Sequence, residues 1–564
     1  MSVKNILATL SQRVEEHPDK IAFAFRKKDS NEISYDEISY SDLDKKSSKV
    51  ANYLSQRGFH HGLITLVIIR PNIDFIILLY GMIKSGSVPL LIPNLNLKNS
   101  YDRRQLRAIL NRAKPRGIIG FRKSLFISWI LRFSRKSDMS INMKHLKSYY
   151  TNTNNDSIFN LEDGKNWEET PAFVKYTTGT TGPAKGVVYN HGMLHAHLRL
   201  LKSQGMNKEE VFFGRSGTLI VHPLLGITSI VNTSKPRQTT GQNIVDEINQ
   251  WKASSAFLSP PSAINLAKFL DLRTNDKCQN TPILPSLKRL YVGGESVSAK
   301  IVQLIEPHFS KHRPADGGFH LVYGATEGFP LCQVQTKMII DTESETNSGG
   351  GICVGRAVDD IRIKILTFED DSGLFDSSSA VEVSGTGVSS LGEISVQGSA
   401  VYSNLIGEDE TKFGGSISWA TDVLNKNSWH RTGDLGYKDE LDRIWLVGRK
   451  SHKVRLIDGN TLYTKQVEQF LDSSLNIRTA LVNGPSNLKP VIVVEKQEQD
   501  WIILEAKLRQ KIPKLCEIFN IDSDFIFIQY DNEFPVDSGH EAKIEREKLS
   551  DWAKTKIHIK NRKV

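Results

Sequence analysis

Short β-branched apolar runs alternate with helix-length stretches through most of the chain. That alternation predicts α/β architecture on largely parallel sheets. "IDFIILLYGMI" from Ile73 reads as a buried helix that runs into the strand-like "VPLLIP". "LFISWILRF" from Leu125 is bracketed by Arg122, Lys123, Arg135 and Lys136, and suits a core helix or, alternatively, a membrane-surface helix. Both fall short of the ~18 to 20 apolar residues needed to cross a bilayer. The Asn-rich segment from Tyr149 to Trp167 reads as a loop that delivers the chain into the strand "AFVKY". "TESETNSGGG" from Thr342 and the Ser/Gly-rich segment from Asp371 read as surface excursions. No internal repeat is present.

Near the end, "RIWLVGRKSHKVRLIDG" gives a strand finishing at Gly448 and then a basic, glycine-bounded segment. The main boundary is expected there, giving a large domain over 1–447 and a small α+β domain over 448–564. In the latter, "PVIVVEK" reads as a strand and "KIEREKLSDWAK" as a helix.

Composition narrows the partners. At 564 residues the chain is too long for one ordinary core, and 39% hydrophobic with 24% charged residues describes a globular protein. The excess of 73 basic over 63 acidic residues suits an anionic substrate or membrane surface, and no nucleic-acid motif accompanies it. The basic tail "KTKIHIKNRKV" from Lys554 could rest on phospholipid, a solvated terminus being the plainer reading. Cys278, Cys332, Cys353 and Cys516 lie far apart without a CxxC pair, which argues against a usual zinc motif and a disulfide framework and for a reducing compartment. Glu15, Glu16 and Asp19 stand where a signal peptide would need an apolar centre, so a cytoplasmic protein is expected, with peripheral membrane contact as an option.

"YTTGTTGPAKGVVYNHG", Tyr176 to Gly192, is the densest chemical signal. It fails the Walker pattern because Lys185 follows Pro183 and Ala184 and precedes Gly186. The ingredients of a phosphate clamp remain: Gly179 and Gly182 let amides converge, Thr177, Thr178, Thr180 and Thr181 add hydroxyls, and Lys185 adds charge. Taken alone, it is equally an ordinary Gly-rich turn.

The stretch resembles the signature of the adenylate-forming enzymes, which include acyl-CoA ligases, luciferases and peptide-synthetase adenylation domains. Thr178 replaces the usual serine and Ala184 the usual proline. The first change keeps the hydroxyl, and the second should cost only ~0.4 to 1 kcal/mol of loop rigidity. Four more stretches of the family pattern follow in order. "LKRLYVGGES" supplies Gly294, Glu295 and Ser296, and a side chain at Gly294 would obstruct a planar base. "LVYGATEG" supplies Tyr323, Gly324, Ala325, Thr326 and Glu327. By the resemblance, Tyr323 stacks on adenine, Thr326 lies near the α-phosphate, and Glu327 binds Mg²⁺, which prefers one or two carboxylates plus substrate phosphates. "HRTGDLGY" supplies Asp434 for the ribose hydroxyls, and "GRK" supplies Arg449 as a second ribose contact. Singly, these would be a core tyrosine, a turn aspartate and a surface arginine.

"FPVDSGHEAKIEREKL" resembles the family's PxTxxGK element, whose lysine bridges acid and α-phosphate. Lys543 lies two positions further from Pro535 than usual, with Asp537 for threonine and Ala542 for glycine. The resemblance implies a large N-terminal domain of mixed sheets flanked by helices, a small mobile C-terminal lid carrying Lys543, and a hinge near Ser451. The implied chemistry is attack of a carboxylate on the α-phosphorus of ATP, with pyrophosphate leaving.

The second step separates the subgroups. "GRKSHKV" and the lengthened "PVDSGHEAKI" are most similar to the bacterial olefin-pathway β-lactone synthetases, often described as fatty-acid CoA ligases. That resemblance implies a long-chain 2-alkyl-3-hydroxy acid whose own hydroxyl closes the ring, and a place beside other lipid-pathway enzymes. A long-chain acyl-CoA or acyl-carrier ligase, the only reading that needs coenzyme A, and a nucleotide-binding protein without catalysis remain alternatives. His191, His222 and His540 are candidate bases for the second step. No spacing singles one out, and a structural or surface role is the plainer reading of each.

Overall fold

The computed structural model describes residues 5–27, 33–93, 100–123, 125, 139–153, 159, 167–176, 186–215, 220–274, 282–367, 381–401, 405–406, 429–484, 489–537 and 539–561. Most of "LFISWILRF", Cys278, and the clamp residues Thr177 to Lys185 therefore lie outside the described residues.

Among the described residues one sheet has seven strands, in which Pro171–Tyr176, Val88–Leu91, Ile64–Ile68, Gly117–Gly120 and the edge strand Met139–Asn142 run parallel in that order. "ITLVI" is apolar almost throughout because helices cover both faces of a parallel sheet. The helix Ile73–Ser85 is one such cover, buried from Phe75 to Lys84. It starts where the Asn72 side chain accepts from Phe75 N (2.9 Å) and stops where Gly86 turns left-handed (φ 75°). Its Lys84 is tolerated inside because Asp44 Oδ1 (2.6 Å) and Ser48 Oγ (2.9 Å) accept from the ammonium.

Among the described residues the larger sheet has thirteen strands. Ile21–Arg26, Thr228–Val231, Val211–Gly214, Ser255–Leu258, Arg289–Gly293 and Gly318–Ala325 run parallel, and an antiparallel wing from Gly328–Gln335 to Ile361–Leu366 continues it. The wing includes His430–Lys438 and Ile444–Arg449. A one-turn 3-10 helix, Lys450–His452, follows with Ser451 exposed. Beyond it the strands Thr479–Asn483, Pro490–Val494 and Ile526–Gln529 form a separate sheet, packed by Thr464–Leu475, Trp501–Phe519 and the terminal helix Arg546–Asn561.

Three segments differ from the sequence reading, the first being Tyr149 to Asn152, which end the helix Met143–Asn152 where the sequence reads as a loop. "TESETNSGGG" forms helical turns over Glu343–Glu345 and Thr346–Gly350, kinked at Gly349: Glu343 accepts from Ala299 N (3.0 Å), and a side chain at Gly349 (φ 89°) would strike the Phe519 ring (2.9 Å) and Ile518 (3.3 Å) of the C-terminal part. The basic tail continues the terminal helix to Asn561, and Ala553 and Ile557 of that helix are buried against the small sheet.

Candidate active site

The candidate residues gather at the carboxyl ends of the parallel strands, where ligands of open α/β sheets sit. Arg289–Gly293 pairs in parallel with Gly318–Ala325, Gly293 opposite Val322, so Gly294 leaves the sheet beside Tyr323, which still pairs with Cys332 of the next strand. In the wing, Asp434 lies directly opposite Arg449. The Arg449 guanidinium meets Asp434 Oδ1 at 2.9 Å, and the Tyr323 hydroxyl donates to Oδ2 at 2.8 Å. A carboxylate has about four acceptor positions, so these two bonds leave others for hydroxyls of a ligand. Burial raises the Tyr323 phenol far above its ordinary range, and Asp434 adds to the rise, so it remains a donor.

The turn after Gly318–Ala325 is tight: a side chain at Gly324 would strike the Gly328 carbonyl (2.8 Å) and the Phe329 ring (2.9 Å). Thr326 within it is anchored through its carbonyl, which accepts from the Tyr189 hydroxyl at 2.7 Å. Tyr189 stacks on Phe173 (4.2 Å between centroids), so the strand after the Thr/Gly-rich loop braces the site. That loop joins the antiparallel strands Pro171–Tyr176 and Gly186–Asn190, with Tyr176 opposite Gly186.

Glu327 is half-buried beside Thr326. Among the described residues no three His, Cys, Asp or Glu side chains converge as a ready cation cage. The donor set at Glu327 thus fits a hard divalent ion that arrives with phosphate oxygens, which would complete its shell.

The C-terminal part closes the site. Lys465, on the helix Thr464–Leu475, pairs with Glu295 at 2.8 Å. Burial works to raise the Glu295 carboxyl, but Lys465, the Ser296 amide and Lys543 together bring it below the ordinary range. Glu541 accepts from Arg237 N (2.9 Å), and the Arg237 guanidinium also pairs with Glu533.

Asp537 organises the lengthened loop. Its buried carboxylate accepts from four backbone amides: Gly539 (3.1 Å), His540 (2.7 Å), Ala542 (3.3 Å) and Lys543 (2.9 Å). Asp537 N donates in turn to Lys543 O at 3.0 Å. The two additional residues before Lys543 are thus tied into a compact turn.

Of the three histidines, two are structural. His191 accepts from Ile6 N (2.9 Å) and packs on Trp167, and His222 lies against Phe212 and Ser229. Burial pulls both pKa values down to about 3, helped at His191 by His195 and His61. His540 instead faces Gly294. Lys465, Tyr189 and the amide-binding role of Asp537 have no signature in the sequence, since each depends on a contact between distant segments.

The chain matches the AMP-binding enzyme family over residues 10–404. It is 29% identical to an olefin β-lactone synthetase of Stenotrophomonas maltophilia over 98% of both chains, and 27% identical to one of Xanthomonas campestris over 97% of both. Among solved structures, ATP-bound MatB from Rhodopseudomonas palustris superposes with a TM-score of 0.72 at 17% identity, covering 98% of this chain and 99% of that one. The anthranilate CoA ligase AuaEII in complex with anthranoyl-AMP also gives 0.72 at 17% identity, over 99% of both chains. With a family match over well more than half its length, the chain belongs to the AMP-binding enzymes and is an AMP-forming, acid-activating ligase.

Proposed function

We propose that the protein uses ATP to convert a long-chain 2-alkyl-3-hydroxy acid to its acyl-adenylate and then closes that adenylate to a β-lactone. The observation that carries this reading is the similarity to two olefin β-lactone synthetases along nearly the whole chain, including the C-terminal part where adenylate-forming enzymes diverge. In the first step an acid oxygen attacks the α-phosphorus and pyrophosphate departs. Lys543 and Thr326 stabilise the charge that accumulates on the phosphoryl oxygens. Tyr323 takes the base, Asp434 and Arg449 the ribose, and the loop Thr177–Lys185 the outer phosphates. A magnesium ion held by Glu327 would supply further neutralisation of the phosphates. The C-terminal lid turns about Ser451. In the second step the 3-hydroxyl and the activated carbonyl share one molecule, so the protein need only orient them and exclude water.

Incubation with ATP, Mg²⁺ and either a simple long-chain acid or a 3-hydroxy-2-alkyl acid, with and without coenzyme A, tests this by mass spectrometry. Loss of one water from the hydroxy acid without coenzyme A is the expected result. A thioester formed only with coenzyme A would overturn the reading.

The loop geometry gives a second expectation. Asp537→Ala strips four amides of their acceptor at once, and each charged hydrogen bond is worth about 1.5–3 kcal/mol. Part of that order is what aims Lys543, so acid-dependent ATP–pyrophosphate exchange should fall about 10- to 100-fold. Asp537→Asn, which keeps one acceptor oxygen, should fall between the two. Exchange at the parental rate in Asp537→Ala would show that the loop holds itself.

A further inference from the structure

Gly293 and Gly294 present two different surfaces. A methyl group on Gly293 would meet the Phe257 ring at 3.1 Å, and Phe257 packs edge-on to Phe329 (5.9 Å). A methyl group on Gly294, where φ is 101°, would come within 3.0 Å of the His540 imidazole. At this seam an apolar wall therefore adjoins a titratable ring, three residues before Lys543. The ring is placed by the main chain: His540 N donates to Asp537 Oδ2 at 2.7 Å, within the same turn that carries Lys543.

Resting on the β-lactone reading above, we propose that His540 is the general base of ring closure. The 3-hydroxyl oxygen bonds to the acyl carbonyl carbon while the bond from that carbon to the phosphate oxygen breaks. The electron pair of that bond leaves with AMP, and the hydroxyl proton passes to an imidazole nitrogen. One turn of chain then serves both steps: Lys543 acts at the α-phosphate, and His540 acts at the neighbouring acyl group.

The charges around the ring suit that task. Burial lowers the His540 pKa; Asp537 works to raise it, against Lys543, Arg215 and Lys175, which lower it further. Desolvation holds the Lys175 ammonium below its ordinary range as well. Arg215 donates to Ser234 O (3.0 Å) and feels both Glu541 and Asp537. Glu295, next to Gly294, is paired with Lys465. Burial and the neighbouring cations thus favour the neutral ring, the form that accepts a proton.

The test separates the half-reactions. Acid-dependent ATP–pyrophosphate exchange reads adenylation, and single-turnover mass spectrometry reads lactone. A positioned base contributes about 10²- to 10⁴-fold, so His540→Gln should form lactone at least about 10²-fold more slowly while still exchanging, and release free acid and AMP instead. In His540→Ala, added imidazole should restore part of the lactone rate, which a packing role would not allow. In the parental enzyme the lactone rate should decline with acid through a pKa below the usual histidine value, and the decline should vanish in His540→Gln. Lactone at the parental rate in His540→Gln, or loss of exchange in step with lactone, overturns the assignment. A parental enzyme that makes no lactone overturns the functional reading itself, so the two failures are told apart.

Discussion

Replacing Lys543 with alanine is expected to lower acid-dependent ATP–pyrophosphate exchange about 10²- to 10³-fold, the loss found when a preorganised donor to a developing oxyanion is removed. The lysine is well placed for this. Among the described residues it has no ion-pair partner, yet its charge reaches Glu295 strongly enough to help hold that carboxyl low. Its backbone is fixed by Asp537 on one side and by the start of the terminal helix on the other. A compact ammonium cannot be replaced by the water that would fill its place, because water brings no net charge. Synthetic acyl-adenylate supplied to Lys543→Ala should still close to lactone, since that step does not alter the α-phosphorus. Exchange at the parental rate would remove Lys543 from the first step.

The parts legible in the sequence are those whose physics is local or whose order is characteristic. "VPLLIP" and "IDFIILLYGMI" announce a covered parallel strand and a buried helix because burial on every side demands apolar residues throughout. Tyr323, Asp434 and Arg449 are legible as a nucleotide set from the order of their motifs. That they touch follows from strand register, which places Asp434 opposite Arg449. Asp537 stands out only as a departure from pattern, and its carboxylate acquires meaning once four amides turn toward it. Lys465 gives no signal at all, because a lysine in a helix's first turn is ordinary until the helix lies against Glu295. "TESETNSGGG" misleads for the opposite reason: weak helix formers become helical where tertiary contacts to Ala299 and Phe519 outweigh propensity.

The second large effect concerns stability of the C-terminal part. Arg546 opens the terminal helix three residues after Lys543 and is buried, as is its partner Glu468. The guanidinium grips both carboxylate oxygens, one at 2.7 Å, and Glu468 Oε1 also accepts from Leu481 N at 2.9 Å. Lys465 on the same helix reaches Glu295, so the pair links the turn carrying Lys543 to the Glu295 side of the candidate site through one helix. Truncating one member of a buried pair leaves an uncompensated charge, which costs about 3–5 kcal/mol, whereas replacing both with apolar residues of similar size is often near neutral. Glu468→Ala is therefore expected to destabilise the C-terminal part by about that amount, and the double change Glu468→Leu with Arg546→Met to recover most of it. Because the chain has more than one folding unit, a single melting midpoint would blur the result. Hydrogen exchange at the amides of Val491 to Val493, on the central strand of the small sheet, reads it directly. Faster exchange there in Glu468→Ala, returning toward the parental rate in the double variant, is the expected pattern. Equal protection in all three proteins would mean that the small sheet stands without the ion pair, and that apolar packing of the terminal helix is enough to hold the lysine loop in place.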